Sequence, residues 1–244
     1  MLMNNWFETY SSHPFEPFTL SHWTVLILFL AGILFILISA GQMAKKPQLS
    51  LYMRIFLFTC LLVSEVSYQI WAVTNGVWSM ALYIPFHLCG VASIIGMITL
   101  VTYHPKLIKL NYFIGIIPAL IALITPDLLY DYHHFRFWKF FLHHMAIIWT
   151  SLFLVVTTGV RITWRTTVKA YLWLVVYGVI VGMINTALDA NYMYLDRPPG
   201  ANTPLDYIGD GIWYYLNLGV IALCVFVLMK LLYRPFKKKF SSKS

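Results

Sequence analysis

Long apolar runs of about 20 residues alternate with short polar connections along almost the whole chain. A helix rises ~1.5 Å per residue, so a run of this length crosses the ~30 Å hydrocarbon core of a bilayer. Because the connections are short, neighbouring helices should be antiparallel. The pattern predicts an all-α, polytopic membrane protein built as a seven-transmembrane-helix bundle, with spans at about 20–42, 51–73, 79–103, 107–129, 136–160, 167–193 and 211–233.

The composition agrees with a lipid environment. The chain is 60% hydrophobic and 11% charged, whereas a soluble domain of ordinary composition has about 25% charged residues. We therefore expect one membrane domain at 20–233, between an extracellular N-terminal segment at 1–19 and a basic cytoplasmic tail at 234–244. The N-terminal segment has no basic stretch before its apolar run, so we predict no cleavable signal peptide.

The charges predict an orientation. Fourteen of the 17 lysines and arginines fall on one side of the predicted bundle, in the connections after spans one, three and five and around the C-terminus. The positive-inside bias predicts that the C-terminus is in the cytoplasm and the N-terminus outside. We expect the protein to lie in the cell membrane. The net charge of +8 therefore predicts contact with anionic headgroups of the bilayer and no nucleic-acid partner.

Polar side chains within the spans cluster toward the predicted outer side. Cys89 lies roughly 15 Å along span three, and Glu65 roughly 12 Å from the outer end of span two. Three further spans contribute polar groups at the same side: His22, His143, His144, Asn185 and Asp189. A charged group facing lipid costs several kcal/mol, so these residues predict a polar pocket that opens outward, and the inner half has almost no such groups.

Helical spacing places part of this pocket on span six. Gly178, Gly182, Asn185 and Asp189 follow an i, i+4, i+7, i+11 pattern, which forms one stripe on a helix. We expect the stripe to face the bundle interior and the glycine pair to permit close helix approach. Pro126 should end regular helical hydrogen bonding in span four.

The sequence "IPFHLCG" places His87 two residues before Cys89. A buried cysteine is usually a small apolar group, and we interpret Cys60 and Cys224 in that way. Three cysteines give no disulfide framework. Residues at i and i+2 point to different sides of a helix, so a base for Cys89 would have to come from another helix, and His143 or His144 could supply it.

Three longer segments carry a family resemblance. "IPFHLCG", "LITPDLLYDYHHFRFWKFFLHH" and "GMINTALDANYMYLDRPP" resemble the YwaF-type bacterial integral membrane family. That family is more distantly similar to the eukaryotic transmembrane protein 164 group, which is thought to contain lipid acyltransferases that use a cysteine and a histidine. The matching positions are His87, Cys89, Pro126, Asp127, His134, Arg136, His144, Asn185 and Asn191.

The resemblance implies a lipid acyltransferase without a cofactor, with Cys89 as nucleophile and His144 as base. A membrane phospholipid or lysolipid would be the substrate, and an acyl-thioester the intermediate. Glu65, Asn185 or Asp189 would orient the imidazole, and His87 would line the pocket.

The headgroup would bind at the pocket mouth. Arg136 is expected to hold the phosphate bidentately, with His134 beside it.

Two other functions stay open on the sequence. His87, His134, His143, His144, Asp127 and Asp189 contain enough ligand atoms for a zinc-dependent lipid hydrolase, although no HExxH-like pair is present. Alternatively, Glu65 and Asp189 suit a transporter or sensor that binds a proton or cation, although no internal repeat is visible.

Overall fold

The computed structural model describes residues 6–10, 13–200 and 204–241, and over these residues the chain is helical and contains no β-strand. The helices are α1 (Leu20–Lys45), α2 (Pro47–Thr74), α3 (Leu88–Thr102), α4 (Pro105–Gly115), α5 (Ile117–Ile124), α6 (Phe135–Thr158), α7 (Trp164–Leu188) and α8 (Ile212–Ser241). Two short 3₁₀ turns, Tyr192–Tyr194 and Pro204–Tyr207, precede α8. The all-α prediction is confirmed.

Six segments of the described chain are long and apolar enough to cross a membrane. They are α1, α2, α4 with α5, α6, α7, and the part of α8 at Ile212–Tyr233. Their length and composition confirm a polytopic membrane protein. The third of the seven predicted spans has a different form.

The predicted span at 79–103 is helical only from Leu88. The resulting helix α3 has 15 residues, which is roughly 22 Å and too short for a full crossing of ~30 Å. We call its non-helical first part, residues 79–87, the entry segment. Pro85 lies in this segment, and proline has no N–H and disfavours helical geometry at the residue before it.

The backbone of the entry segment is hydrogen-bonded by side chains from other parts of the fold. The Tyr192 hydroxyl donates to the Met80 carbonyl at 2.5 Å and accepts the Ile84 N–H at 3.1 Å. Two more side chains donate to its carbonyls: Gln69 to Tyr83 at 2.7 Å and Tyr177 to Phe86 at 2.8 Å. Irregular backbone is tolerated at membrane depth when protein groups satisfy it in this way.

Asn185 fixes the position of Tyr192. Its side-chain amide donates to the Tyr192 carbonyl at 3.0 Å and accepts the Tyr192 N–H at 2.9 Å. Helix α7 therefore ends in a closed turn that carries Tyr192 to the entry segment.

Helix α6 is the centre of the bundle. In its most apolar stretch 61% of the residues are buried, against 17% in α7. Helices α1 to α5 all pack on α6, whereas α7 and α8 pair at one side. A Cβ on Gly32 of α1 would lie 2.3 Å from the Trp149 ring of α6, so only glycine permits this approach.

The two ends of the bundle are built differently. At one end the N-terminal segment crosses the start of α6, where Phe135 N–H donates to the Trp6 carbonyl at 3.0 Å and Tyr130 donates to the Thr9 carbonyl at 2.8 Å. At the other end Arg54 donates to the Leu100 carbonyl at 2.6 Å. The first end contains the predicted pocket and the second contains most of the basic residues. The cytoplasmic orientation of the second end stays a prediction.

Several helix boundaries differ from those predicted. The predicted span at 107–129 is α4 and α5, with a break at Ile116 next to Pro118, and it ends at Ile124 before Pro126. The predicted tail at 234–244 begins as a continuation of α8 through Ser241. Residues 1–5, 11–12 and 242–244 of the predicted terminal segments lie outside the described residues.

The glycine stripe on α7 was predicted wrongly. A Cβ added to Gly178 or Gly182 would meet nothing within 4 Å, so no described helix approaches closely there. Asp189 is not part of span six, because α7 ends at Leu188 and Asp189 is its exposed C-terminal cap with φ of 50°.

We predict that Tyr192→Phe lowers the free energy of unfolding by about 1–3 kcal/mol, because it leaves the Met80 carbonyl and the Ile84 amide without their shared partner. Thermal unfolding in detergent would measure the change. Tyr207→Phe removes a hydroxyl from a residue that is 89% exposed and should have no effect. Equal stability of the two variants would contradict the role given to Tyr192.

Candidate functional site

Cys89 lies in the first turn of α3. His87 is the N-cap residue, and its side chain makes no capping hydrogen bond. The first helical hydrogen bond runs from Val91 N–H to the His87 carbonyl, so the N–H groups of Leu88, Cys89 and Gly90 have no acceptor within the helix. Such a helix N-terminus favours negative charge near it.

The entry segment folds back against this turn. A Cβ on Gly90 would lie 2.8 Å from the Pro85 carbonyl oxygen, a distance too short for any other residue without a backbone shift. Gly90 therefore allows the segment to lie against the N-terminus of α3.

The packing of α3 on α6 brings Cys89 near two histidines. A Cβ on Gly96 would be 3.3 Å from Thr150 Cγ2, and both helices start at the same end of the bundle. Seven residues are about two helical turns. Cys89 lies two turns before Gly96 on α3. His143 lies two turns before Thr150 on α6, and His144 is the next residue. This counting of turns places Cys89 and His143 at a similar level of the bundle, and the approach of Cys89 to an imidazole stays a prediction.

His144 has one ring nitrogen engaged. Its Nδ1–H donates to the Phe140 carbonyl at 2.7 Å, so a neutral ring has its lone pair on Nε2. No hydrogen bond to Nε2 is found among the described residues, and none joins Cys89 Sγ to an imidazole. Catalytic hydrogen bonds are often loose before substrate binds.

His87 is held by the turn that follows α7. Its Nδ1 accepts the Met193 N–H at 3.2 Å, and the rings of Tyr192 and Tyr194 pack on it at 5.3 and 5.2 Å. Met193 and Tyr194 have φ of 58° and 53°, a strained conformation for two successive residues that are not glycine. Asn185 holds this turn through Tyr192, so its predicted orienting role applies to His87 and is indirect.

Two cations face the same cluster. Lys139 Nζ lies 4.0 Å from the centre of the Tyr68 ring and interacts electrostatically with Glu65 and Cys89. The Arg136 guanidinium lies 4.6 Å from the same ring and 4.9 Å from the Trp71 ring. Among the described residues neither cation forms an ion pair with a carboxylate.

Lys139 had no predicted role at the site. The sequence feature that could have indicated it is its position one turn before His143. A lysine and a histidine at i and i+4 lie on the same face of a helix, and this helix is otherwise apolar. Tyr194 was also missed. Its hydroxyl donates to Asp127 Oδ2 at 3.3 Å, and its ring lies near Cys89. No local pattern indicated Tyr194, because a turn between helices brings it to the site.

Glu65 lies where it was expected. It is half-buried, and its carboxylate accepts a hydrogen bond from Gln69 at 3.0 Å. Asp189 is exposed beyond the end of α7, so the prediction that it orients an imidazole is wrong.

His134 was expected to bind a headgroup, but protein partners occupy both of its ring nitrogens. Nδ1 accepts the Arg136 N–H at 3.0 Å and Nε2–H donates to the Glu8 carbonyl at 2.7 Å. His134 is the N-cap of α6 and stacks on Tyr130 with ring centres 4.1 Å apart. This arrangement corrects the prediction, since it leaves no nitrogen for a ligand.

Buried polar atoms continue below the site into the other half of the bundle, where almost no polar groups were expected. Five of them have no hydrogen-bond partner among the described residues: Ser64 Oγ, Ser93 Oγ, Asn111 Oδ1, His143 Nδ1 and Thr150 Oγ1. Buried polar groups normally have a partner, often an internal water. The side chains of Asn111 and Thr150 both lie next to Gly96, so two of these five groups are at the contact of α3, α4 and α6.

The described residues bring no three histidine, cysteine, aspartate or glutamate side chains into a group that could hold a metal ion. The six residues considered for a zinc site therefore do not assemble into one, since His134 and Asp189 face elsewhere.

These features define a polytopic helical membrane protein with a polar site, containing a cysteine and histidines, near one end of its bundle. The chain belongs to the TMEM164 family, whose model matches residues 17–230. The relation to the transmembrane protein 164 group thus extends over nearly the whole membrane domain, and the closer likeness to the YwaF-type bacterial family stays a prediction. Neither the curated proteins nor the solved structures include a match to this chain.

Burial lowers the pKa of the His134 imidazole below its usual value of ~6.5. The folded state therefore binds fewer protons than the unfolded state, and the stability from neutral His134 is present above pH ~6.5 and is lost as the pH falls toward the folded-state pKa. We predict that unfolding temperatures measured at about pH 8 and about pH 5 differ more for the wild type than for His134→Asn.

Asparagine keeps an N-cap acceptor without titrating in this range. His133→Asn, in the exposed part of the same loop, serves as the control and should keep the wild-type pH dependence. An unchanged pH dependence in His134→Asn would show that other groups cause it.

Proposed function

We propose that this protein is an acyltransferase that acts on membrane lipids through Cys89 and His144. The observation that carries the proposal is the position of Cys89. It lies in the first turn of α3, level with a His144 whose Nε2 has no described partner. A thiol requires a base and a site that favours negative charge, and this position supports both.

In the first half-reaction His144 Nε2 takes the Cys89 proton, and the thiolate attacks the ester carbonyl of a donor phospholipid. The N–H groups of Leu88, Cys89 and Gly90 lie where they could stabilise the oxyanion. The intermediate collapses by breaking the ester C–O bond, and the lysolipid leaves with the proton from His144. The acyl group then remains on Cys89 as a thioester.

In the second half-reaction a lysolipid hydroxyl attacks the thioester carbonyl. His144 takes the hydroxyl proton, and collapse expels the Cys89 thiolate, which recovers a proton from His144. The products are a new phospholipid ester and the starting thiol. No oxidant, reductant or cofactor is required.

Arg136 and Lys139 support the choice of a phospholipid. Both cations lie on the Tyr68 ring without an ion-pair partner among the described residues. A headgroup phosphate bound here would be about one and a half to two turns of α6 from His144, roughly 8–12 Å along the helix axis, which is comparable to the separation of a phosphate and its ester groups within one lipid. Arg136 is suited to bidentate phosphate contact.

A second candidate function is transport. One observation favours it, the presence of buried polar atoms without a hydrogen-bond partner among the described residues, including those of Ser93 and Thr150. Transport past these groups would depend on those hydroxyls and on Glu65, and would not require the Cys89 thiol.

We predict that the wild type in vesicles exchanges acyl chains between a deuterated phosphatidylcholine and lysophosphatidylethanolamine, and that Cys89→Ala abolishes the exchange. His144→Gln should slow it by about 10²–10⁴-fold, the usual contribution of a general base. Lipid mass spectrometry measures the exchange, and intact-protein mass spectrometry detects an acyl increment that hydroxylamine removes.

Cys60→Ala and His133→Gln are the matched controls and should keep wild-type exchange. Full exchange in Cys89→Ala would overturn the proposed chemistry. Transport would be favoured if the protein's function in cells were lost in a Ser93→Ala, Thr150→Val double variant and retained in Cys89→Ala.

A further inference from the structure

A separate groove lies between α1 and α2, toward the basic end of the bundle. It has a volume of about 500 Å³ and is lined almost wholly by apolar groups. Its lining residues on α1 include Ala31 and Phe35, those on α2 include Met53 and Phe56, and Trp149 of α6 lies at its inner wall. The groove is independent of the site that contains Cys89.

Trp149 closes the groove near the middle of the bundle. Its indole occupies the space that a side chain at position 32 would fill, and its Nε1–H donates to the Phe29 carbonyl at 3.2 Å. The indole N–H is therefore satisfied within the protein, and the groove side of the ring is apolar.

The other end of the groove opens into a basic hollow of about 560 Å³. The two spaces share Leu49 and Tyr52, and the hollow is also lined by Lys45 and Lys46. Both lysines are exposed, and neither has a carboxylate partner among the described residues.

The start of α2 adds to the positive character of the hollow. The first helical hydrogen bond of α2 comes from Ser50 N–H, so the N–H groups of Gln48 and Leu49 have no acceptor within the helix. No side chain caps this end. Helix N-termini with free N–H groups are suited to phosphate.

The dimensions match one leaflet. Lys45 and Ala31 are separated by 14 residues of a continuous helix, roughly 21 Å along its axis. That distance reaches from a headgroup region to the middle of a ~30 Å hydrocarbon core. A basic mouth at headgroup depth with an apolar groove below it is complementary to an anionic headgroup and its acyl chain.

We propose that this groove binds one phospholipid with an anionic headgroup from the leaflet at the basic end of the bundle. The phosphate lies between Lys45, Lys46 and the start of α2, and one acyl chain lies along Phe35 and Met53 toward Trp149. The bound lipid fills the space between α1, α2 and α6. This lipid is bound but is not a substrate, so the site does not depend on the proposed acyl transfer.

The test is native mass spectrometry of the purified protein titrated with dioleoyl phosphatidylglycerol or dioleoyl phosphatidylcholine. We expect the first complex to form with phosphatidylglycerol in preference to phosphatidylcholine. Lys45→Gln with Lys46→Gln should reduce that preference by about 5-fold to 25-fold, because each of the two lysines contributes up to about a fivefold change in anionic-lipid affinity near a membrane surface.

The control for charge is Lys106→Gln with Lys169→Gln, which removes two exposed lysines away from the groove and should keep the preference. Ala31→Phe fills the groove from an exposed position and should weaken the binding of both lipids, whereas Leu34→Phe, exposed outside it, should not. Acyl exchange should persist in all four variants if the acyltransferase proposal is correct.

Equal binding of the two lipids by the wild type would overturn the proposal. The same loss of preference in the Lys106 and Lys169 control would also overturn it, since that outcome indicates a diffuse attraction to the basic end. Unchanged lipid binding by Ala31→Phe would exclude the acyl chain from the groove.

Discussion

The hydroxyl of Tyr192 connects the Met80 carbonyl to the Ile84 amide, and the position of α3 depends on this pair of hydrogen bonds. A segment without helical hydrogen bonds is costly at membrane depth unless the protein supplies partners. With the entry segment fixed, α3 begins partway into the bundle. Its N-terminus, with Cys89 in the first turn, is therefore inside the protein, whereas a full-length span would have its free N–H groups at the membrane surface.

Helix α6 contributes to both proposed sites of the molecule. One part carries Arg136, Lys139 and His144 to the Cys89 site, and Trp149, further along the helix, closes the groove between α1 and α2. Because five of the described helices pack on α6, most of its side chains have defined neighbours.

The cations at the two ends of the bundle differ in exposure, and each arrangement suits a different kind of contact with lipid. At the Cys89 end the cations are few, half-buried and stacked on aromatic rings, which suits contact with one specific headgroup. At the basic end Lys45, Lys46, Lys106 and Lys169 are exposed, which favours longer-range attraction to an anionic leaflet. The proposed substrate site and the proposed site for a resident lipid are thus compatible within one bundle.

The sequence by itself determined the all-α membrane class, the approximate limits of six spans and the location of Glu65, Cys89, His143 and His144 toward one end, because apolar run length and residue depth are local properties. Only the tertiary structure decided that residues 79–87 are not helical, that His134 is a structural cap, that Asp189 is exposed, and that Lys139 and Tyr194 face the thiol. Each of these depends on hydrogen-bond partners or packing contacts from distant parts of the chain. An apolar pattern specifies burial, but it does not specify which neighbour satisfies a given polar group.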